Sequence, residues 1–194
     1  LDSNAKHIVP LLGGHKAGAE QLAIELAAYF GGTPVLTGDA FHSHRLALDS
    51  FGEAWGWLRS GSREKWSQLM LAQSQGRNLI VDQSSGSLLW RNEQVSRNCS
   101  DVLDQVSSNK FCIGSAATSL CSWHPATIWV GIGCERNTSL SLIERGLEES
   151  FCKANLALEA VAGLATLDRK SDESALLSLL RKRKWPLRVF SVEE

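Results

Sequence analysis

The fold turns on one stretch, Trp129–Ser150, which reads "WVGIGCERNTSLSLIERGLEES". An apolar run stops at Gly131, Gly133 and Cys134; the charged pair Glu135 and Arg136 follows, and Thr138 and Ser139 open a helical pattern. Leu140, Ile143, Leu147 and Phe151 recur at the spacing of one helix face, with Thr138 or Ser139 as the N-cap. "TIWVGIG" is therefore expected to be a strand that turns through glycine into a helix. The alternation continues downstream. "LEAVAGLATLD" contains a strand, "DESALLSLLRKRK" is a helix with acids first and bases last, as its dipole favours, and "PLRVF" is a further strand. Residues 126–194 form the C-terminal domain of this reading. The last residues, "SVEE", match a capping box with Ser191 as N-cap and Glu194 three positions on, so the chain is expected to be a fragment of a longer one.

The same logic applies at the start. "HIVPLLGG" reads as a strand in which Pro10 cannot donate to a ladder. In "HKAGAEQLAIELAAYFGG", Ala19, Leu22, Ala23, Leu26, Ala27 and Phe30 recur at helical spacing, and Gly31 and Gly32 supply the stop. "TPVLTGD" is a second strand. Strand, helix and strand in this order imply a parallel pair. The fold class is α/β, in two modules with largely parallel sheets. Residues 1–50 belong to the first module and 51–92 to a Trp-rich middle region. There a helix is expected around "REKWSQLMLAQSQG" and a strand at "RNLIVDQ". Trp55, Trp57, Trp66 and Trp90 could stack on a planar ligand or anchor a core, and the area each ring buries favours the core. From 93 to 125 periodicity dissolves into Ser, Asn and Cys, which reads as a linker with one short strand at "KFCIG".

Composition narrows the function. The chain has 194 residues, is 43% hydrophobic and carries a formal net charge of −1, so it can bury a core and shows no broad basic field for nucleic acid. No apolar run is long enough to cross a bilayer, and "LDSNAKHIVP" lacks the pattern of a secretory leader. Cys99, Cys112, Cys121, Cys134 and Cys152 are odd in number and scattered, as expected of reduced thiols in the cytoplasm.

Gly131-x-Gly133 completes no dinucleotide fingerprint: that motif needs glycine where Arg136 stands, which disfavours a nucleotide-binding domain. Small residues before a helix N-terminus still suit an anion, and Arg136 adds a bidentate donor for carboxylate. The alternative is a plain tight turn, with Arg136 paired to Glu135 or another acid. Both readings stand on residue chemistry alone.

"WVGIGCERNTSLSLIERGLEE" and the following "LALEAVAGLATLDRKSDESALLSLLRKRKWPLRVFSVEE" resemble the C-terminal domain of the CbiG family, the cobalt-precorrin-5A hydrolases of anaerobic cobalamin biosynthesis. The same module occurs alone as CobE. "VPLLGGHKAGAEQLAIELAAYFGGTPVLT" resembles the family's N-terminal domain, and "ALDSFGEAWGW" and "LIVDQSSGSLLW" its middle region. The resemblance implies a cobalt corrinoid substrate bearing a ring-A lactone and many carboxylates. Hydrolysis of the lactone releases acetaldehyde as the macrocycle contracts. It also implies no cofactor, since the cobalt belongs to the substrate, and allows other cobalamin-pathway enzymes as partners, while charge and hydropathy leave no nucleic-acid or membrane partner expected. The alternative is a corrinoid-binding module without catalysis, including one fused to a precorrin methyltransferase. Departures from the family pattern fall at Asn137, usually Gly; at Ala17-Gly18-Ala19-Glu20, usually Gly-Gly-Ala-Asn; and at Thr37-Gly38-Asp39-Ala40, usually Thr-rich.

The candidate substrate-binding residues are Gly131, Gly133, Glu135, Arg136, Asn137, Thr138 and Ser139. The catalytic candidates are His15, as general base after Gly13-Gly14, and Asp168, which could orient water or cap the next turn. Cys134 is either a nucleophile at a helix start or a small core residue. Cys121 with His124, and His42 with His44, offer two ligands each, fewer than a zinc site needs, so no metal is expected. Lys16, Arg169, Lys170 and Arg188 are spare bases that could meet carboxylates or remain solvated.

Overall fold

The computed structural model describes residues 6–10, 19–36, 46–48, 50–92, 99–101 and 109–191. By its internal contacts the chain divides into two compact units. The first comprises Leu1–Ala54, Ser62–Val81 and Ser87–Lys110, the second Trp55–Gly61, Asp82–Gly86 and Phe111–Glu194.

In the first unit, β1 (His7–Ile8) and β2 (Thr33–Pro34) pair in parallel, with α1 (Ala19–Phe30) between them in the chain. This is the expected strand–helix–strand unit. Gly31 takes φ 65 and the Gly32 amide returns to the Ala27 carbonyl at 2.9 Å, a helix stop only glycine makes without strain. The inward face differs from the expected stripe. Ala23 and Ala27 are buried with Ile8 and Leu36, while Leu22 and Phe30 point to solvent. Alanines let the helix lie close to a sheet of two short strands, where a leucine would hold it off. Farther along, Ser62 caps α2 (Arg63–Ser74) by accepting from the Lys65 amide at 3.3 Å. That helix buries Trp66, Leu69 and Ala72. β4 (Leu79–Gln83) pairs in parallel with β5 (Cys99–Asp101). Trp90 is buried, with the Phe51 ring edge-on at 5.2 Å.

The stretch 93–125, expected as a linker with one strand, instead contributes three strands: β5, β6 (Lys110–Ile113) and β7 (Cys121–His124). In the second unit β7 lies between β6, to which it is parallel, and the antiparallel β3 (Leu58–Ser60). All four residues of β7, Cys-Ser-Trp-His, are buried, so the strand shows no polar–apolar alternation to read. The Ser122 hydroxyl keeps a partner: its Oγ meets Thr118 Oγ1 at 2.9 Å. Trp57 and Trp123 are buried here too, which with Trp66 and Trp90 gives the core role for most tryptophans.

The rest of this unit follows the expected alternation. β8 (Ile128–Gly131), β9 (Val161–Leu167) and β10 (Leu187–Phe190) form a parallel sheet in the order β10-β9-β8, linked by α3 (Leu140–Lys153) and α4 (Ser174–Arg183). Ile143, Leu147 and Phe151 of α3 pack with Leu176 and Leu179 of α4 and with Val161 and Leu164 of β9. Burying each such side chain contributes about 1.5–3 kcal/mol, so this cluster is the main source of the unit's stability. Trp129 packs over Gly163, the residue it opposes on β9, and the Arg188 guanidinium sits 4.5 Å from the Trp129 ring centre. Arg188 therefore stacks on an aromatic ring.

A Cβ on Gly163 would stand 2.6 Å from Trp129 Cζ3 and 2.8 Å from the Pro186 carbonyl oxygen. Gly163→Ala is expected to destabilise the protein by about 1–3 kcal/mol in urea unfolding, through overpacking against backbone that cannot give way. An unchanged midpoint would contradict the close packing.

Candidate functional site

β8 is an edge strand, and its exit forms one wall of a cleft of about 580 Å³. Val130, Gly131, Ile132, Gly133, Cys134 and Glu135 supply that wall, Thr138 closes one end, and Leu142, Gly146 and Ser150 of α3 face them. Of the expected binding residues, then, Gly131, Gly133, Glu135 and Thr138 line a cavity. Arg136, Asn137 and Ser139 do not, and each has a structural task. Ser139 is the N-cap of α3 and accepts from the Leu142 amide at 3.3 Å. Asn137 takes φ 63, a conformation that Asn tolerates better than most residues, so the turn survives without the family's usual glycine. Thr138 Oγ1 donates to the Glu135 carbonyl at 2.7 Å and closes the turn.

Arg136 is a correction. It points at its own unit: Nη1 donates to Asp172 Oδ1 at 2.5 Å, Nη2 donates to the Arg169 carbonyl at 2.6 Å, and Glu173 Oε2 lies 3.7 Å from Nη1. The fork that would hold a ligand carboxylate instead ties the loop after β8 to the loop after β9. The Asp172 hydrogen bond and charge raise the Arg136 pKa, and the Arg136 hydrogen bond is the chief cause that lowers that of Asp172. Glu173 joins the same two loops more deeply. Only 3% exposed, it accepts from the Asn137 amide through Oε1 at 3.0 Å. Thr166, also buried, donates from Oγ1 to the Ile132 carbonyl at 2.7 Å. Sequence reasoning missed Glu173, whose one signal is its place at the start of α4, where an acid reads as a simple helix-dipole partner.

Asp168 accepts from the Arg169 amide at 2.6 Å as the first residue of a short 3-10 turn whose N-cap is Leu167. Arg169 serves through its carbonyl. Cys134 faces the cleft without a histidine among the lining residues. Both ring nitrogens of His124 are engaged, by the Gly114 carbonyl and by Ser60 Oγ, each at 2.7 Å, so this histidine is not half of a metal pair with Cys121. Among the described residues no group of three or more His, Cys, Asp or Glu is placed to hold a metal ion, and no helix is long and apolar enough to cross a membrane. His15, Lys16, His42 and His44 lie outside the described residues.

A glycine-rich strand exit beside a helix start in a parallel α/β unit is the place where domains of this architecture commonly bind their ligands. Two family models match. Residues 1–40 fit the cobalamin synthesis G N-terminal domain and residues 128–194 fit the cobalamin synthesis G C-terminus. The chain belongs to the cobalamin synthesis G (CbiG) family. It is 24% identical over 211 residues to the cobalt-precorrin-5A hydrolase of Priestia megaterium and 23% identical over 210 residues to that of Salmonella typhimurium. Both alignments cover the whole chain but 56% and 58% of the relatives, so the chain spans somewhat over half their length. A crystal structure of a cobalamin biosynthesis protein G homologue from Sulfolobus solfataricus aligns over 98% of this chain and 55% of that one, at 18% identity and a TM-score of 0.35.

The Arg136–Asp172 pair makes stability depend on acid. The folded Asp172 carboxyl is held below its ordinary value, so its contribution is complete above the unfolded carboxylate range, about pH 4, and is lost as pH falls through the depressed folded value. The stability lead of the native protein over Asp172→Asn should therefore be constant near neutrality and shrink below about pH 4. A lead that persists unchanged to pH 2 in parallel unfolding curves would contradict the ion pair.

Proposed function

We propose that this chain carries the lactone-opening activity of a cobalt-precorrin-5A hydrolase, releasing acetaldehyde during corrin ring contraction in the cytoplasm. The names of its relatives and the two family matches support the reading. The observation that carries it is the cleft. At Gly131, Gly133 and Gly146 a Cβ would meet nothing within 4 Å among the described residues. Glycine inside a helix costs about 1 kcal/mol relative to alanine. No neighbour of Gly146 requires that cost, whereas a large flat ligand lying against α3 would. Val130, Ile132 and Leu142 offer apolar wall for a macrocycle, and Glu135 and Thr138 a polar rim. The cobalt travels with the substrate, and no cofactor is assigned to the protein.

The chemistry needs a nucleophile for the lactone carbonyl, a donor for its oxyanion and an acid for the departing oxygen. Water adds and the acyl C–O bond breaks to a carboxylate and a hydroxyl; the carbon bearing that hydroxyl then leaves as acetaldehyde, its O–H proton lost as the C=O forms while the electron pair of the broken C–C bond passes to the macrocycle, which takes up a proton. His15 is proposed as a base for this step. Asp168 is assigned to its turn, and Arg136 to shaping the site. One observation favours a second reading, a corrinoid-binding module without catalysis: among the described residues no histidine lines the cleft.

Incubation with the cobalt lactone, with trapping of acetaldehyde, separates these readings. Release supports the hydrolase. Tight corrinoid binding without release favours the binding module, and neither binding nor release rejects both.

Gly146 gives a test with opposite signs. Gly146→Ala should raise stability by up to about 1 kcal/mol, because its Cβ fills open space on a helix. Gly146→Leu should lower corrinoid affinity at least about tenfold by filling the cleft, at a cost of about 1.4 kcal/mol of binding. Equal affinity in titrations of the Leu variant would remove this cleft from the site.

A further inference from the structure

His124 on β7 is 1% exposed, and its hydrogen bonds fix its tautomer. A carbonyl oxygen can only accept, so Nδ1 carries the proton and donates to Gly114 at 2.7 Å. In the neutral ring Nε2 is then a lone pair, and the Ser60 hydroxyl, 2.7 Å away, must donate to it. A serine O–H aimed at an imidazole whose other nitrogen is held by an acceptor is the arrangement that activates a hydroxyl. Backbone geometry supports both partners. Ser60 is the last residue of β3, and Gly61, at φ 107, turns the chain away immediately after it. A Cβ on Gly114 would collide with the Ser84 hydroxyl, so the carbonyl that orients the ring belongs to a tightly packed position.

Ser60 also lines a second cleft, of about 630 Å³, with Leu58, Thr118, Leu158, Arg183 and Trp185 among its walls. The Nε of Arg183 is buried and has no hydrogen-bond partner among the described residues. A buried histidine with two good hydrogen bonds is in itself an ordinary core residue. The structural role does not account for the cavity on the serine side or for the unsatisfied guanidinium donor in its wall.

The geometry points to Ser60 as a nucleophile, with His124 as its general base, attacking the carbonyl carbon of a carboxylic ester seated in this second cleft. As the Oγ–C bond forms, the Ser60 proton passes to His124 Nε2. The ester C–O bond then breaks, and the leaving alkoxide takes that proton. Water, deprotonated in turn by Nε2, releases the acid and restores Ser60. Arg183 Nη2 lies 3.8 Å from Glu148 Oε1 in the same wall, so of its guanidinium only Nε is left to serve the developing oxyanion. Phe151 lines both clefts and a lactone is an internal ester, so for a corrinoid whose body lies in the first cleft and whose lactone reaches the second, the inference deepens the proposed function by putting Ser60 in place of water as the first attacking atom. In that link it rests on the proposed function; the nucleophile itself does not.

A fluorophosphonate probe, which phosphonylates activated serines, tests it on the protein directly. Mass spectrometry of digested protein should place the adduct on Ser60. Ser60→Ala should lose the adduct, and His124→Gln should slow labelling about 100-fold, with circular dichroism showing both variants folded. Absence of an adduct on Ser60 in native protein overturns the proposal, whether or not His124→Gln folds, and so does equal labelling in a folded His124→Gln. Acetaldehyde released by Ser60→Ala at the native rate refutes Ser60 as the attacking atom while leaving the proposed function intact. An adduct on Ser60 without acetaldehyde release from native protein removes the proposed function and leaves the nucleophile standing.

Discussion

A carboxylate inside a protein needs partners, and Glu173 finds them across two loops. Its Oε1 holds the Asn137 amide at 3.0 Å, and its Oε2 lies 3.7 Å from Arg136. Arg136 then spans Asp172 and the Arg169 carbonyl. The buried carboxylate matters most of these. Exposed ion pairs contribute about 0–1 kcal/mol, while leaving a buried acceptor such as Glu173 without its partner costs about 1–3 kcal/mol. The loops leaving β8 and β9 are thereby held as one body at the C-terminal end of the parallel sheet. Asn137 can then remain at φ 63, Ser139 can cap α3, and Gly131 and Gly133 present bare backbone to the cleft.

Most of the second unit's parallel sheet was legible because its signals agree. The apolar stripe Ile143–Leu147–Phe151, the glycines after β8 and the charge order of α4 all point to strand–helix alternation. β7 was not legible, because both its faces are buried and its His is satisfied by Ser60, 64 residues away. The stripe on α1 was misplaced for a different reason. Small residues, not large ones, set how closely that helix packs.

The candidate site divides in the same way. Glycines at a strand exit advertise open backbone whatever surrounds them, so Gly131 and Gly133 could be found by reading along the chain. The direction of Arg136 could not, since it depends on Asp172, 36 residues on. Ser60 and His124, 64 residues apart, meet only through the pairing of β3 with β7. No local pattern around "LRSGS" or "CSWHP" contains that pairing. The second unit thus holds two clefts of different character. One has apolar walls and exposed glycine backbone and suits the body of a large ligand. The other brings a hydroxyl, an imidazole and an unsatisfied guanidinium donor to one side.

Amide hydrogen exchange at Asn137 tests most directly whether the two loops move as one. In the native protein this amide should exchange far more slowly than a free loop amide, because a buried carboxylate holds it. Glu173→Ala should speed its exchange by about tenfold or more, for loss of at least about 1.4 kcal/mol of local protection, while amides in β9 keep theirs. An Asn137 amide that already exchanges at the free-loop rate in the native protein would contradict the central claim that Glu173 joins the two loops.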